Sequence, residues 1–203
     1  MCPLGRDFYL QDAETVARQL LGKLLVRKVG YEQLILRITE TEAYLGIDDP
    51  ACHSYKNRKT ARTAIMYNPG GYSYVYFIYG MYNMLNAVTG REGDPCAVLI
   101  RAGRPVVGMD AISRGRFGKP WKELTPLQRR ALSDGPGKLC KALNISREQN
   151  GLDLTASELT ICEGEVGSAF RIEAGPRIGI DYAGEAANWP LNFKLRDIVE
   201  SPL

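Results

Sequence analysis

Histidine is nearly absent from this sequence, with His53 the only one in the chain. The five cysteines, Cys2, Cys52, Cys96, Cys140 and Cys162, are scattered, odd in number and never spaced as C-x-x-C. One histidine and no paired thiols leave almost no ligand set for zinc, and an odd, dispersed set argues against a disulfide framework. Buried free thiols are expected instead, with no metal and no other cofactor. No uninterrupted apolar run approaches the roughly 18 residues of a membrane-spanning helix. Residues 1–7 lack the basic-then-apolar pattern of a secretory leader. Together these absences predict a cytoplasmic protein with no membrane partner.

What is present suits an ordinary folded chain: 203 residues, 45% hydrophobic and 24% charged. That length accommodates a single domain over residues 1–203 with a substantial core. Net charge is only +3, but it is unevenly placed. Residues 51–150 hold 16 basic and 6 acidic side chains, net +10, whereas the two flanks hold 10 and 17, net −7. A basic middle fits a phosphate-binding face, and equally a solvated face of mixed helices.

Asp12 ahead of an amphipathic stretch ending at Gly22 predicts a capped helix. Strands are predicted over 23–29 and 33–44 with a turn at Gly30, then over 72–79, 82–89 and 96–102. Residues 45–71 read mainly as loop, given Gly46, Asp48-Asp49-Pro50 and Pro69-Gly70-Gly71. Helices are predicted over 106–116, 125–132 and 136–144, with Pro105 and Pro136 suited to first-turn positions. Short strands fit 159–162, 169–173 and 177–180. Helices grouped after runs of strands indicate an α+β domain, not a doubly wound parallel sheet.

Period-two alternation places Leu34, Leu36, Ile38, Glu40, Glu42 and Tyr44 on one strand face. Ionised groups seldom follow an apolar face without a partner or a task, although a strand leaving the core at Glu40 would solvate both. Two glutamates separated by about 6.6 Å of strand rise also match the carboxylate pair of a sugar hydrolase. Six tyrosines fall between Tyr67 and Tyr82; such aromatic strands serve cores, and they also stack unpaired bases. Gly80 permits a sharp bend after Tyr79, which would leave Tyr79 at a hairpin tip. His53 stands alone in a polar loop with no triad partner nearby in sequence. Gly135-Pro136-Gly137-Lys138 lacks the upstream glycine and hydroxyl residue of a phosphate loop, but its turn and lysine could hold a backbone phosphate.

Read together, Arg37–Gly46 with His53-Ser54, Tyr74–Tyr82 continuing to Asn86, Cys96–Ala102 and Gly135–Cys140 resemble the alkyladenine (3-methyladenine) DNA glycosylase family. Arg177–Ile180 and Ala183-Gly184-Glu185 extend the likeness towards the C-terminus. The resemblance implies a single mixed α/β domain built around a curved, mainly antiparallel sheet with peripheral helices. It implies Glu42 as the group that activates water and Arg101 as a group that helps hold that water, with a backbone carbonyl of residues 178–180. Tyr44, His53 and Tyr76 would form the base pocket, Asn86 would discriminate purine substituents, and Tyr79 would wedge into the duplex. Lys138 is the candidate for a DNA-backbone contact, and Glu40 is assigned a structural role. The implied partner is double-stranded DNA containing damaged purines, bound by a monomer that is nucleoid-associated if bacterial. On this resemblance the chain is expected to start close to the catalytic region, without the long N-terminal extension of some relatives. The 45–52 loop and the basic segment 114–119 depart from the family pattern. A non-catalytic nucleic-acid-binding module and an O-glycosidase using Glu40 with Glu42 are the competing readings.

Overall fold

Asp12 caps its helix as the sequence predicts: its carboxylate accepts the Thr15 backbone N–H at 2.9 Å, satisfying one of the orphan donors of a helix start. In the computed structural model, which describes residues 1–164 and 170–197, that helix is α2 (Ala13–Leu20), preceded by the single turn α1 (Arg6–Tyr9). The strands are β1 (Leu24–Val29), β2 (Glu32–Tyr44), β3 (Ser73–Ile78), β4 (Tyr82–Thr89), β5 (Cys96–Val107), β6 (Leu159–Cys162), β7 (Phe170–Gly175) and β8 (Asn192–Asp197). Three further helices, α3 (Met109–Phe117), α4 (Pro126–Arg130) and α5 (Pro136–Ala142), lie between β5 and β6 in sequence. Residue 169 of the predicted 169–173 strand lies outside the described residues.

The sheet runs β3-β4-β5-β2-β1-β6, and every pairing is antiparallel. The long strand β2 makes the sheet branch. Residues 32–37 pair with β1, while Glu40, Thr41 and Glu42 take β8 on that side; β5 pairs along the opposite side from Ile35 to Tyr44. The result is a single α+β domain around a curled antiparallel sheet. Its main core lies on the face covered by α2 and α5, where Leu20, Leu36, Ile38, Val98, Ile100, Leu139 and Phe193 are all buried. Full burial contributes about 1.5–3 kcal/mol for each large aliphatic or aromatic side chain. Alternate residues of β4 and β5 face the other way, and there Cys52, Met66, Tyr74, Val88 and Ala97 form a smaller cluster with Tyr44 and Tyr76 at its edge.

Several sequence expectations are corrected. The helix predicted from 106 starts at Met109, and Pro105 lies in β5. Only Cys96–Leu99 of β5 pair with β4, so the far half of that strand has an open side on which a residue lacking N–H is tolerated. Residues 177–180 form no strand; 178–179 make a bend, and the Ile178 backbone N–H goes to the Glu42 carboxylate and not to a neighbouring strand. Strand β8 was not foreseen. Four cysteines are buried, but Cys2 is exposed. Among the described residues no helix is long and apolar enough to cross a membrane.

Candidate functional site

The site begins with two irregularities in the β2–β5 ladder. Ile38 pairs with Gly103 and Glu40 with Ala102, leaving Thr39 extra; Thr41 then pairs with Ile100, leaving Arg101 extra. A bulge re-aims the side chains that follow it. Leu34, Leu36 and Ile38 therefore share the core face with Thr41 and Ala43, and the Thr41 hydroxyl donates to the Ala17 carbonyl of α2 at 2.8 Å. Glu40, Glu42 and Tyr44 turn to the opposite face. The uniform face predicted from strict alternation is thus corrected: the strand changes parity at Thr39, and the carboxylates leave the core there. Gly103 permits the close approach, since a Cβ on it would lie 2.9 Å from the Arg37 carbonyl oxygen.

Glu42 is fully buried and accepts four hydrogen bonds from four segments of chain. Its Oε1 takes the Ile178 backbone N–H at 2.7 Å and Asn192 Nδ2 at 3.0 Å. Its Oε2 takes the Tyr44 hydroxyl at 3.0 Å and Arg101 Nη1 at 3.2 Å. A carboxylate, which only accepts, matches this ring of donors. Arg101 also donates Nε to Glu40 at 3.0 Å, and Asn192 Nδ2 reaches the same Glu40 oxygen at 2.8 Å. Glu40 thus shares both of these donors with Glu42 and holds them in place from the side.

Above Glu42 opens a cavity of about 290 Å³, at the small end of ligand pockets, which run roughly 300–1,000 Å³. Tyr44, His53, Tyr76, Tyr79, Asn86 and Arg101 all line it. Glu42 is not itself part of the wall; it lies beneath three residues that are, namely Tyr44, Arg101 and Ile178. Asn86 is buried, with Nδ2 donating to the Tyr74 carbonyl at 3.1 Å. Tyr79 stands at the β3–β4 hairpin tip, 74% exposed, with φ +54° followed by Gly80 at +66°. The left-handed region costs a non-glycine residue about 1–2 kcal/mol, and such strain gathers at functional positions. Lys138 is separate from the cavity. It borders a neighbouring groove with Met81, Tyr82, Arg116 and Lys141, and its Nζ meets Asp134 at 2.8 Å.

Both ring nitrogens of His53 are engaged. Its Nδ1 lies 2.8 Å from the Tyr74 hydroxyl, its Nε2 lies 3.2 Å from Arg62 Nη2, and its ring meets Tyr76 edge-on at 4.7 Å. Burial, with the charges of Arg62 and Arg58 added, depresses its pKa to about 4. Burial and the Glu42 charge push the Tyr44 phenol well above its ordinary value.

Sequence reasoning missed the supports of this site. Arg177 and Asp49 form a fully buried, two-pronged ion pair, and the Arg177 guanidinium lies 4.9 Å from the centre of the Tyr44 ring. Asp49 also accepts the backbone N–H groups of Leu45 and Ala51, each at 3.0 Å, so it orders the loop after β2. In sequence Asp49 resembled simple turn punctuation, and Asn192 carried no signal because β8 was unrecognised. Among the described residues no three His, Cys, Asp or Glu side chains group as a metal-ligand set.

Comparison with known proteins identifies the family. The model of the methylpurine-DNA glycosylase family matches residues 7–198. A protein from Clostridium novyi (strain NT), named "Putative 3-methyladenine DNA glycosylase", is 48% identical over 194 residues, covering 96% of this chain and 95% of its own. Proteins of the same name from Desulfitobacterium hafniense (strain Y51) and Alkaliphilus oremlandii (strain OhILAs) are 46% and 48% identical, with 96% of this chain covered and 95% and 96% of theirs. Matches of this extent make the chain a member of the methylpurine-DNA glycosylase family.

Proposed function

We propose that this chain is a monofunctional, monomeric glycosylase that flips alkylated or deaminated purines from duplex DNA and hydrolyses their N-glycosidic bond. Its substrates on this reading are 3-methyladenine, 7-methylguanine, hypoxanthine and ethenoadenine. The observation that carries the reading is a buried carboxylate, Glu42, hydrogen-bonded to two walls of an aromatic-lined cavity, Tyr44 and Arg101. Tyr44 and Tyr76 stack on the extruded base, with His53 at its edge or sugar and Asn86 against its substituents. Flipping costs a few kcal/mol. Tyr79, entering the duplex in place of the base, helps offset it, as does stacking worth about 1–3 kcal/mol per base.

In the chemical step, a water held between Glu42 and Arg101 adds its oxygen to C1′ of the sugar. The C1′–N bond breaks with its electron pair leaving on the base, and the water proton passes to Glu42. Arg101 borders the cavity and donates to Glu42 Oε2, so a water entering from the cavity can be shared between the two. General-base assistance of this kind typically supplies about 10²–10⁴-fold. A methylated purine is cationic and departs readily, and it gains about 0.5–2 kcal/mol of cation–π attraction between the rings. No lysine is among the described residues that line the cavity, which supports hydrolysis without the Schiff base of a lyase. Incubation with alkylated duplex DNA should release free purines and leave intact abasic strands. DNA binding without purine release would instead identify a non-catalytic module, and borohydride trapping of a covalent adduct would overturn the monofunctional assignment.

A further inference from the structure

Arg62 reaches His53 from the turn at residues 60–63. It is exposed, yet its turn is tightly laced. Thr63 Oγ1 accepts the Thr60 backbone N–H at 2.8 Å and donates to the Arg58 carbonyl at 3.0 Å, and the Ala64 N–H reaches the Thr60 carbonyl at 2.8 Å. From this turn the guanidinium lies 4.7 Å from the centre of the Tyr76 ring and 3.2 Å from His53 Nε2. Arg62 is not among the cavity's lining residues, so it contacts two wall residues without itself forming the wall.

A guanidinium has five N–H donors and no acceptor. The atom it meets on His53 must therefore offer a lone pair, which makes Nε2 the unprotonated nitrogen. The ring proton of the neutral imidazole then sits on Nδ1, where it donates to the Tyr74 hydroxyl at 2.8 Å. An imidazolium in this place would set N–H against N–H and cation against cation. The groups facing His53 are Arg58 and Arg62 from its own loop and the phenols of Tyr74 and Tyr76 from β3, and both charges that bear on it are positive.

We propose that Arg62 is a positioning residue that fixes His53 as its neutral Nδ1–H tautomer and so keeps positive charge off the imidazole beside the flipped base. The consequence for chemistry rests on the glycosylase reading above. A cationic methylated purine meets a neutral ring on its approach, and acidification does not turn that ring into a competitor of like charge. The burial that depresses the His53 pKa acts in the same direction.

Because His53 is the only histidine, protein labelled with ¹⁵N-histidine gives one imidazole spectrum that needs no assignment. In the wild type, Nε2 should resonate as an unprotonated and Nδ1 as a protonated nitrogen, without change from pH 8 down to about 5. In Arg62→Met the tautomers should mix and the titration midpoint should rise by about one pH unit, the scale of a like charge removed from within a few ångströms. Arg62→Lys, which restores a cationic donor, should bring the midpoint back down. In the activity arm, lowering the pH from 7 to 5 should cost Arg62→Met up to about twofold more 3-methyladenine release than it costs the wild type, because about half of the variant's rings are then charged and repel the base. A wild-type Nε2–H tautomer, an Arg62→Met spectrum and titration identical to wild type, or an unchanged acid limb would each overturn the proposal. A wild type that releases no purine at any pH would instead refute the glycosylase reading, while the spectra still decide the role of Arg62.

Discussion

At the inner end of the cavity Glu42 is fully buried and held by donors from β2, β5, the 176–191 connection and β8. At the outer end Tyr79 stands 74% exposed on a hairpin turn at positive φ. The inner end is overdetermined: three segments distant from β2 must be in place before the carboxylate is satisfied, and a buried ion pair fastens the loop behind Tyr44. The outer end depends on one turn. Chemistry at a sugar carbon needs preorganised groups that pay no reorganisation cost when charge develops, whereas insertion into a duplex needs a side chain that can leave its resting place without disturbing the fold.

The largest expected effect strikes the inner end. Glu42→Gln keeps the shape but turns one acceptor into a donor facing other donors, and it removes the proposed base. Single-turnover release of 3-methyladenine should fall by about 10²–10⁴-fold, while an abasic-site duplex still binds. Release within threefold of wild type would remove Glu42 from its role and leave the ring of donors as a purely structural device.

Asp49→Ala tests whether the fastening is energetic. It leaves Arg177 charged and buried, a change that costs about 3–5 kcal/mol. Urea unfolding should register that loss, and a cost below about 1 kcal/mol would mean that Arg177 finds other partners and the pair does not secure the loop. Tyr79→Ala should show the reverse signature. Folding stability should stay within about 0.5 kcal/mol of wild type, as for exposed positions generally. Base release from duplex should weaken by about 1–3 kcal/mol of lost stacking, measured as release from duplex against release from single-stranded DNA. An equal loss on both substrates would show that Tyr79 does not act by filling the duplex.

The same division explains what was legible in the sequence. The hairpin tip is local, and Tyr79-Gly80 between two alternating strands contained all that was needed to place it. The capped α2 and most strand positions were readable for the same reason. The wall residues Tyr44, His53, Tyr76 and Asn86 could be matched as a motif, yet their mutual geometry arises only from the fold. Least legible were contacts across long stretches of chain. Asn192 reaches Glu42 from 150 residues away and Arg177 reaches Asp49 from 128, and no periodicity records such a pairing. The parity change at Thr39 was hidden too, because a bulge is a property of two paired strands and β2 alone reads as regular. Pro105 misled for a related reason: whether proline starts a helix or ends a strand depends on which side of the strand is open.

The smallest effect belongs to Lys138, which lies in the neighbouring groove and already meets Asp134. If this lysine touches a phosphate, Lys138→Gln should reduce the slope of log affinity against log salt by at most about one. Affinity at low salt should then drop only a few-fold. At saturating DNA, single-turnover release should stay unchanged, as expected of a contact that aids encounter and lies outside the cavity. A change in release under those conditions would join the groove to the inner end, because a phosphate held there would then be positioning the sugar over Glu42. The two-part division of inner and outer ends would have to give way to a single surface running from α5 to the carboxylate.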